Sequence, residues 1–261
     1  MILKKTIPFL IPIFALVFLF SGYMLARELI DQKNDADNFH ALAELVAVKP
    51  ETIDPIGDIE QPESNSTGAT TQTPPIQLLR DLNPLFKKNP DCIGWIYVEG
   101  TRVDYPVMHT PADPERYLYR NFYQEDSPAG VPFLEGICIL ECDNLILYGH
   151  NMKNGTMFAD VTNYRMQDYA TAHPIIEFQT AQELKQYTVF AVARLKSNDD
   201  WYSFHHATNE AEYNDLVSDI KARSLCDLGV TPQYGQQLLT LSTCYGFDQN
   251  DRIVVIGCAN E

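Results

Sequence analysis

The chain has 261 residues, 45% of them hydrophobic, and a formal net charge of −16. That length accommodates a membrane segment, a linker and one domain of ordinary size. The acidic balance excludes a nucleic-acid backbone as partner, because such binding needs a basic face; beyond that, it bears mainly on solubility.

Lys4 and Lys5 precede an almost unbroken apolar run from Ile7 to Ala26, about the 20 residues a helix needs to cross a bilayer. The run is longer than the apolar core of a cleavable signal peptide, and Ser21-Gly22-Tyr23 is a poor cleavage site. Residues 1–27 are therefore expected to form a cytoplasmic N-terminus and an uncleaved transmembrane anchor. Lys4 and Lys5 favour a cytoplasmic start against the opposing Arg27 and Lys33, which places the remainder of the chain outside the cytoplasm. Scattered apolar positions at Leu29, Phe39, Leu42, Leu45 and Val46 suggest a stalk helix. Pro50, Pro55, Pro62, Pro74 and Pro75, with the polar run Ser64 to Thr71, then leave little to bury. Residues 28–75 thus read as stalk and linker, and residues 76–261 as the folded domain.

Within that domain, Ile76 to Lys88 reads as a helix that Pro84 shortens or kinks. Cys92 to Val98 and Val103 to Met108 read as strands joined by a turn at Glu99 to Arg102. Asp113 to Phe122 suggests a helical turn, and Val131 to Glu135 and Gly136 to Leu140 suggest strand. Glu141 to Asn144 suggests a hairpin turn into a strand at Leu145 to Tyr148. Short helices are expected at 157–164 and 165–170, and strands at 175–180 and 186–195. Thr208 to Ser224 carries Ala211, Leu216, Val217 and Ile220 at helical spacing, with no acidic partner for a capping box opened by Thr208. Gln237 to Leu241 and Ile253 to Cys258 close the chain as strands. Many short strands with inserted helices fit a mostly β fold, an antiparallel barrel rather than a βαβ sheet.

The chain has six cysteines, Cys92, Cys138, Cys142, Cys226, Cys244 and Cys258. In an exported protein such a number permits disulfides, while the plainer reading makes most of them small buried hydrophobes. Cys138 and Cys142 with His150 match no compact zinc spacing. No cofactor is called for, no metal site is assigned, and no clustered carboxylate loop suggests calcium.

Cys244 differs from the others. It ends the apolar run Leu239-Thr240-Leu241-Ser242-Thr243-Cys244, and Arg252 opens the next one, Ile253 to Ile256. Two adjacent strands would carry a thiol on one rim and a guanidinium on the other. A neighbouring cation favours the nucleophilic thiolate, and a fixed guanidinium can hold a carbonyl oxygen as charge develops on it. The matching proton carrier is His150, in Tyr148-Gly149-His150-Asn151-Met152. Taken singly, a cysteine ending a strand or a histidine in a turn is more often structural; the three together are not.

These three segments resemble the sortase family, and in detail its class B. Gly94-Trp95-Ile96, Tyr105-Pro106-Val107-Met108, Tyr117-Leu118, Met157-Phe158 and His173-Pro174-Ile175 follow in family order across residues 76–261. The resemblance implies a closed eight-stranded sortase-type β-barrel and a cysteine transpeptidase. Such an enzyme cuts a sorting motif of an exported protein after Thr through a thioester, and passes the acyl group to a cell-wall precursor or pilin amine. It implies Cys244 as nucleophile, His150 as acid and base, and Arg252 as the anchor of the scissile region. Leu118, Trp201 and Tyr202 are implied for the substrate groove, with Ser242, Thr243 and Tyr245 flanking the nucleophile. Trp201 and Tyr202 could equally pack the inserted helix onto the barrel. Pro114, Pro132, the segment Glu135 to Asn144 and Tyr245 depart from the family pattern and bear on substrate identity. Two other readings keep the sequence features: an endopeptidase that hydrolyses the same thioester, and a membrane-tethered binding module with a degenerate site.

Overall fold

The computed structural model describes residues 3–46 and 80–260. The proline-rich linker and the first residues of the helix expected from Ile76 lie outside these. Eight strands close into one barrel in the spatial order β1-β2-β3-β4-β7-β8-β6-β5. They are β1 (Cys92–Tyr97), β2 (Asp104–Met108), β3 (Phe133–Leu134), β4 (Asn144–Tyr148), β5 (Ile175–Thr180), β6 (Leu184–Lys196), β7 (Leu238–Cys244) and β8 (Asp251–Ala259).

The barrel is not the wholly antiparallel one that the strand pattern suggests. β4 runs parallel to β7, from Asn144 opposite Leu238 to Tyr148 opposite Ser242. β2 and β3 are parallel through Met108 and Phe133. A parallel pair needs a long crossover, and the segment between β4 and β7 supplies one. It contains β5, β6, and helices α3 (Gln167–Ala172) and α4 (Glu210–Ala222).

Both faces of the crossover sheet are covered. Leu239 and Leu241 of β7 point into the barrel core, while Leu238 joins Val254 and Ile256 of β8 in an outer cluster under α4. Double-sided burial explains why β7 and β8 read as continuous apolar runs rather than alternating ones. In β6 the pairing with β8 slips between Val189 and Ala191. The extra residue lets Val189 and Val192 both face inward while Phe190, Ala191 and Ala193 face the outer cluster.

Three local readings change. Gly136 to Leu140 is not strand: Cys138 N donates to Glu135 O and Cys142 N to Ile139 O, folding residues 135–143 into two successive turns. Ile137 and Ile139 stand 71% and 54% exposed, so that stretch has no core face to pack against. Helix α2 (Asn83–Lys88) carries Pro84 in its first turn rather than being kinked by it, because proline's missing N–H costs nothing there. Helix α4 is capped one residue later than Thr208 implied: Asn209 accepts from Glu212 N at 3.1 Å, and Glu212 reaches back to Thr208 N.

Helix α1 (Leu3–Val46) takes in both the apolar run and the expected stalk. Among the described residues, no helix is long and apolar enough to cross a membrane. The C-terminal turns of α1 belong to the domain's packing. Phe39, Leu42 and Val46 are buried, and Phe39 meets Tyr105 of β2 edge-on at 5.1 Å. Asp35 accepts a hydrogen bond from Ser127 Oγ at 2.8 Å. Burial pushes the Asp35 carboxyl above its ordinary value, and that hydrogen bond partly opposes the shift.

Candidate active site

The parallel pairing of β4 with β7 decides where the chemistry sits. Both strands run toward the same rim, with Tyr148 opposite Ser242. Two residues further along each strand come His150 and Cys244. Side-chain and backbone bonds carry the alignment past the last ladder pair. Gly149 N donates to Ser242 O (3.2 Å), Thr243 Oγ1 to Gly149 O (2.7 Å), and Asn151 Nδ2 to Cys244 O (3.1 Å). On the other side of β7, Cys244 is paired directly with Arg252 of β8. The thiol, imidazole and guanidinium expected from sequence therefore occupy neighbouring positions across three adjacent strands. Gly149 is needed for this: a Cβ there would lie 2.7 Å from the Phe158 ring, and that close packing turns the chain into His150.

Each of the three groups is held differently. Cys244 is exposed, and the other five cysteines are buried and free. His150 Nε2 lies 2.8 Å from the Leu118 carbonyl oxygen. A carbonyl only accepts, so Nε2 carries a proton, and Nδ1 is the nitrogen that exchanges one. Tyr119 flanks the imidazole at a centroid distance of 5.4 Å. Arg252 Nη1 donates to Gln249 O (2.6 Å) and Asp251 O (3.0 Å), which ties the guanidinium to its own loop. Lys196 fixes that loop from outside through ion pairs with Asp248 (3.0 Å) and Asp251 (2.6 Å).

The three groups open onto a groove of ≈ 680 Å³. Of the residues expected to meet substrate, Leu118, Tyr202, Ser242 and Thr243 line it. The hydroxyls of Tyr202 and Ser242 are 2.8 Å apart, and Tyr148 stacks on Tyr202 at 6.0 Å. Burial pushes the Tyr202 hydroxyl up to about 12, against the opposing effects of Ser242 and the Arg252 charge, so it stays a neutral hydrogen-bonding group. Trp201 does not reach the groove. It is 1% exposed in the outer cluster, where its indole N–H donates to Thr240 Oγ1 at 3.1 Å. Tyr245 turns away as well: its hydroxyl accepts from Arg194 Nη2 at 2.9 Å, and that guanidinium lies over its ring. Trp201 thus takes the packing role that the sequence left open beside the groove, while Tyr245, expected to flank the nucleophile at the groove, packs on the barrel wall.

Sequence reasoning missed the Leu118 carbonyl that fixes the His150 tautomer, which leaves no side-chain signature. It also missed Asn151, although Asn151 stands beside His150 in the very motif that identified it. Glu135 and the fully exposed Phe247 add to the groove's lining. A nucleophile, a proton carrier with one free nitrogen and a fixed cation, beside an open groove, have the makings of acyl transfer through a thioester.

The family model of the sortase domain matches residues 96–259. The chain is 28% identical over 230 residues to sortase B of Listeria monocytogenes, spanning 87% of this chain and 85% of that protein. It is 31% identical over 176 residues to sortase B of Staphylococcus aureus, spanning 66% of this chain and 71% of that one. The solved Staphylococcus aureus sortase B–substrate complex superposes with a TM-score of 0.64 at 29% identity, over 68% of this chain and 83% of that chain. The eight-stranded barrel, the Cys-His-Arg rim and these likenesses agree, and the chain belongs to the sortase family as a class B cysteine transpeptidase.

Proposed function

We propose that this transpeptidase is tethered to a membrane, cleaves a sorting motif of exported proteins after Thr, and joins the new carboxyl end to a cell-wall or pilin amine. Cys244 Sγ, its proton carried by His150, attacks the threonine carbonyl carbon. The tetrahedral oxyanion collapses to a thioester as the peptide nitrogen leaves with a proton from His150. An incoming amine gives its proton back to His150 and displaces Cys244, so the catalyst is regenerated and no water is consumed. Arg252, held by Gln249 O and Asp251 O, offers its charge to the oxyanion without having to be reorganised. The observation that carries the reading is the register that sets His150 and Arg252 on either side of Cys244 at one rim. The tether rests on the run Ile7 to Ala26 behind Lys4 and Lys5, and on Phe14, Leu16, Phe18 and Leu19, which stand exposed along α1.

The test mixes the protein and its Cys244→Ala variant with a library of sorting-motif peptides, with and without oligoglycine or a diaminopimelate-type amine, and reads products by mass spectrometry. Amine-joined product after Thr, lost in the variant, is expected. Free acid alone, whatever amine is offered, would make the protein an endopeptidase. Membrane fractionation of cells expressing the chain with and without residues 1–27 tests the tether, which fails if both forms are equally soluble.

A further inference from the structure

Behind the groove wall, two chain segments far apart in sequence bring metal-binding atoms together. Glu135 follows β3, and its N–H still pairs with Ile146 O at 2.9 Å, so its backbone is fixed. The turns that follow carry Cys138, which is 0% exposed. The loop after the 200–203 turn docks onto them: Asp143 N donates to His205 O (2.8 Å), and Ala207 N to Asp143 Oδ2 (2.8 Å). That docking sets His205 Nε2 2.7 Å from Glu135 Oε2, while Cys138 Sγ lies 3.9 Å from the same oxygen. All three atoms lie within 4.8 Å of one another. A second thiol adjoins them. Cys142 neighbours Cys138, receives the Ile139 N–H at 3.4 Å and sits 3.4 Å from His206 Nε2.

We propose that Glu135, Cys138 and His205 form a three-ligand binding site for a zinc-class divalent cation, with the fourth position left open. Zinc bonds of about 2.0–2.3 Å at tetrahedral angles place ligand atoms about 3.3–3.8 Å apart. The 3.9 Å separation already fits, and the 2.7 Å contact needs to open by only about half an ångström, as a hydrogen bond gives way to two metal bonds. A thiol, an imidazole and a carboxylate suit a borderline-soft ion rather than calcium or magnesium. The other Glu135 oxygen accepts from Tyr148 Oη at 3.4 Å, and Tyr148 stacks on Tyr202 in the groove wall. The ion would thus clamp residues 135–143 to the 204–207 loop and brace that wall from behind. The site was not legible in the spacing of Cys138 and Cys142 because its histidine lies 70 residues beyond Glu135.

The test uses the full chain, reduced and freed of metal with a chelator, then titrated with Co²⁺. One cobalt per chain is expected, with a Co–thiolate charge-transfer band that Zn²⁺ displaces. Cys138→Ser should abolish the band, and His205→Ala should weaken Zn²⁺ binding by more than about tenfold. Cys244→Ser should leave both unchanged. The wild-type spectrum decides even if a variant folds poorly, since a reduced chain that shows no thiolate band refutes the site. A band that survives Cys138→Ser but not Cys244→Ser would also refute it. So would a Cys138–Cys142 disulfide in a chain that takes up no metal after reduction.

Discussion

Replacing Thr240 by Val tests whether a buried polar network underlies the catalytic rim. Thr240 Oγ1 accepts from Trp201 Nε1 at 3.1 Å and donates to Asn144 Oδ1 at 2.8 Å, and Asn144 Nδ2 continues to Phe204 O at 3.1 Å. Thr240 and Asn144 are 0% exposed and Trp201 1%, so no solvent can substitute for a lost partner. Valine keeps the shape but strands one donor and one acceptor. At about 1–3 kcal/mol for each orphaned group, the loss is about 2–6 kcal/mol, centred near 4. For a folded unit of this size that lowers Tm by about 8–16 °C. Thr240→Ser keeps the hydroxyl and removes one methyl, costing about 0.8 kcal/mol. Urea unfolding of both variants decides the matter. A double-mutant cycle sharpens it: Trp201→Phe should cost less in the Thr240→Val background, where the indole N–H is already unpaired. If Thr240→Val is no more than about 1 kcal/mol worse than Thr240→Ser, the network does not stabilise the β4–β7 pairing as argued.

Arg252→Lys should lower peptide turnover by about 10²–10³ with circular dichroism unchanged, because a single ammonium cannot keep both loop carbonyls and still face an oxyanion; turnover within about threefold of wild type would remove Arg252 from the mechanism. Tyr202→Ala should raise KM for a cleaved peptide several-fold while Trp201→Phe leaves KM alone and lowers only stability, and the reverse pattern would contradict the groove's assignment. Asp35 has a raised folded value, so its contribution to docking α1 is fully present below its ordinary 3.8 and is lost as the pH rises through that raised value. Hydrogen exchange over residues 35–46 should accordingly lose protection, after correction for intrinsic rates, as pH rises toward neutral, and Asp35→Asn should flatten that trend.

The reach of sequence here follows from the range of the interactions involved. β1, β2, β5, β6 and β8 were legible within a residue or two, because each is a local apolar run between turn residues. Cys244 and Arg252 were legible because a short loop joins the strands that pair them. His150 stands only as the best candidate among the residues until the family pattern is added, since the β4–β7 register that aligns it with Cys244 is a long-range fact. Trp201 and Tyr202 show the limit most clearly. They are adjacent aromatics, yet one faces the outer cluster and the other the groove. Which is which depends on the 3-10 turn at Asp200–Ser203, capped by Asp199, and on where that turn meets the barrel. The 135–143 turns resemble strand in sequence because apolar alternation is the same signal whether or not a core exists to receive it.

The crossover between β4 and β7 also sets a schedule. Asn151 and Cys244, which hydrogen-bond across the rim, are separated by 93 residues, and Arg252 is synthesised later still. Contacts this distant in sequence form late in folding, after the loop-closure cost has been met. A nascent or half-folded chain therefore carries an ordinary thiol, with neither its proton carrier nor its cation beside it. On the proposed mechanism, reactivity arrives together with barrel closure, and the thioester can form only once the groove beside Cys244 exists.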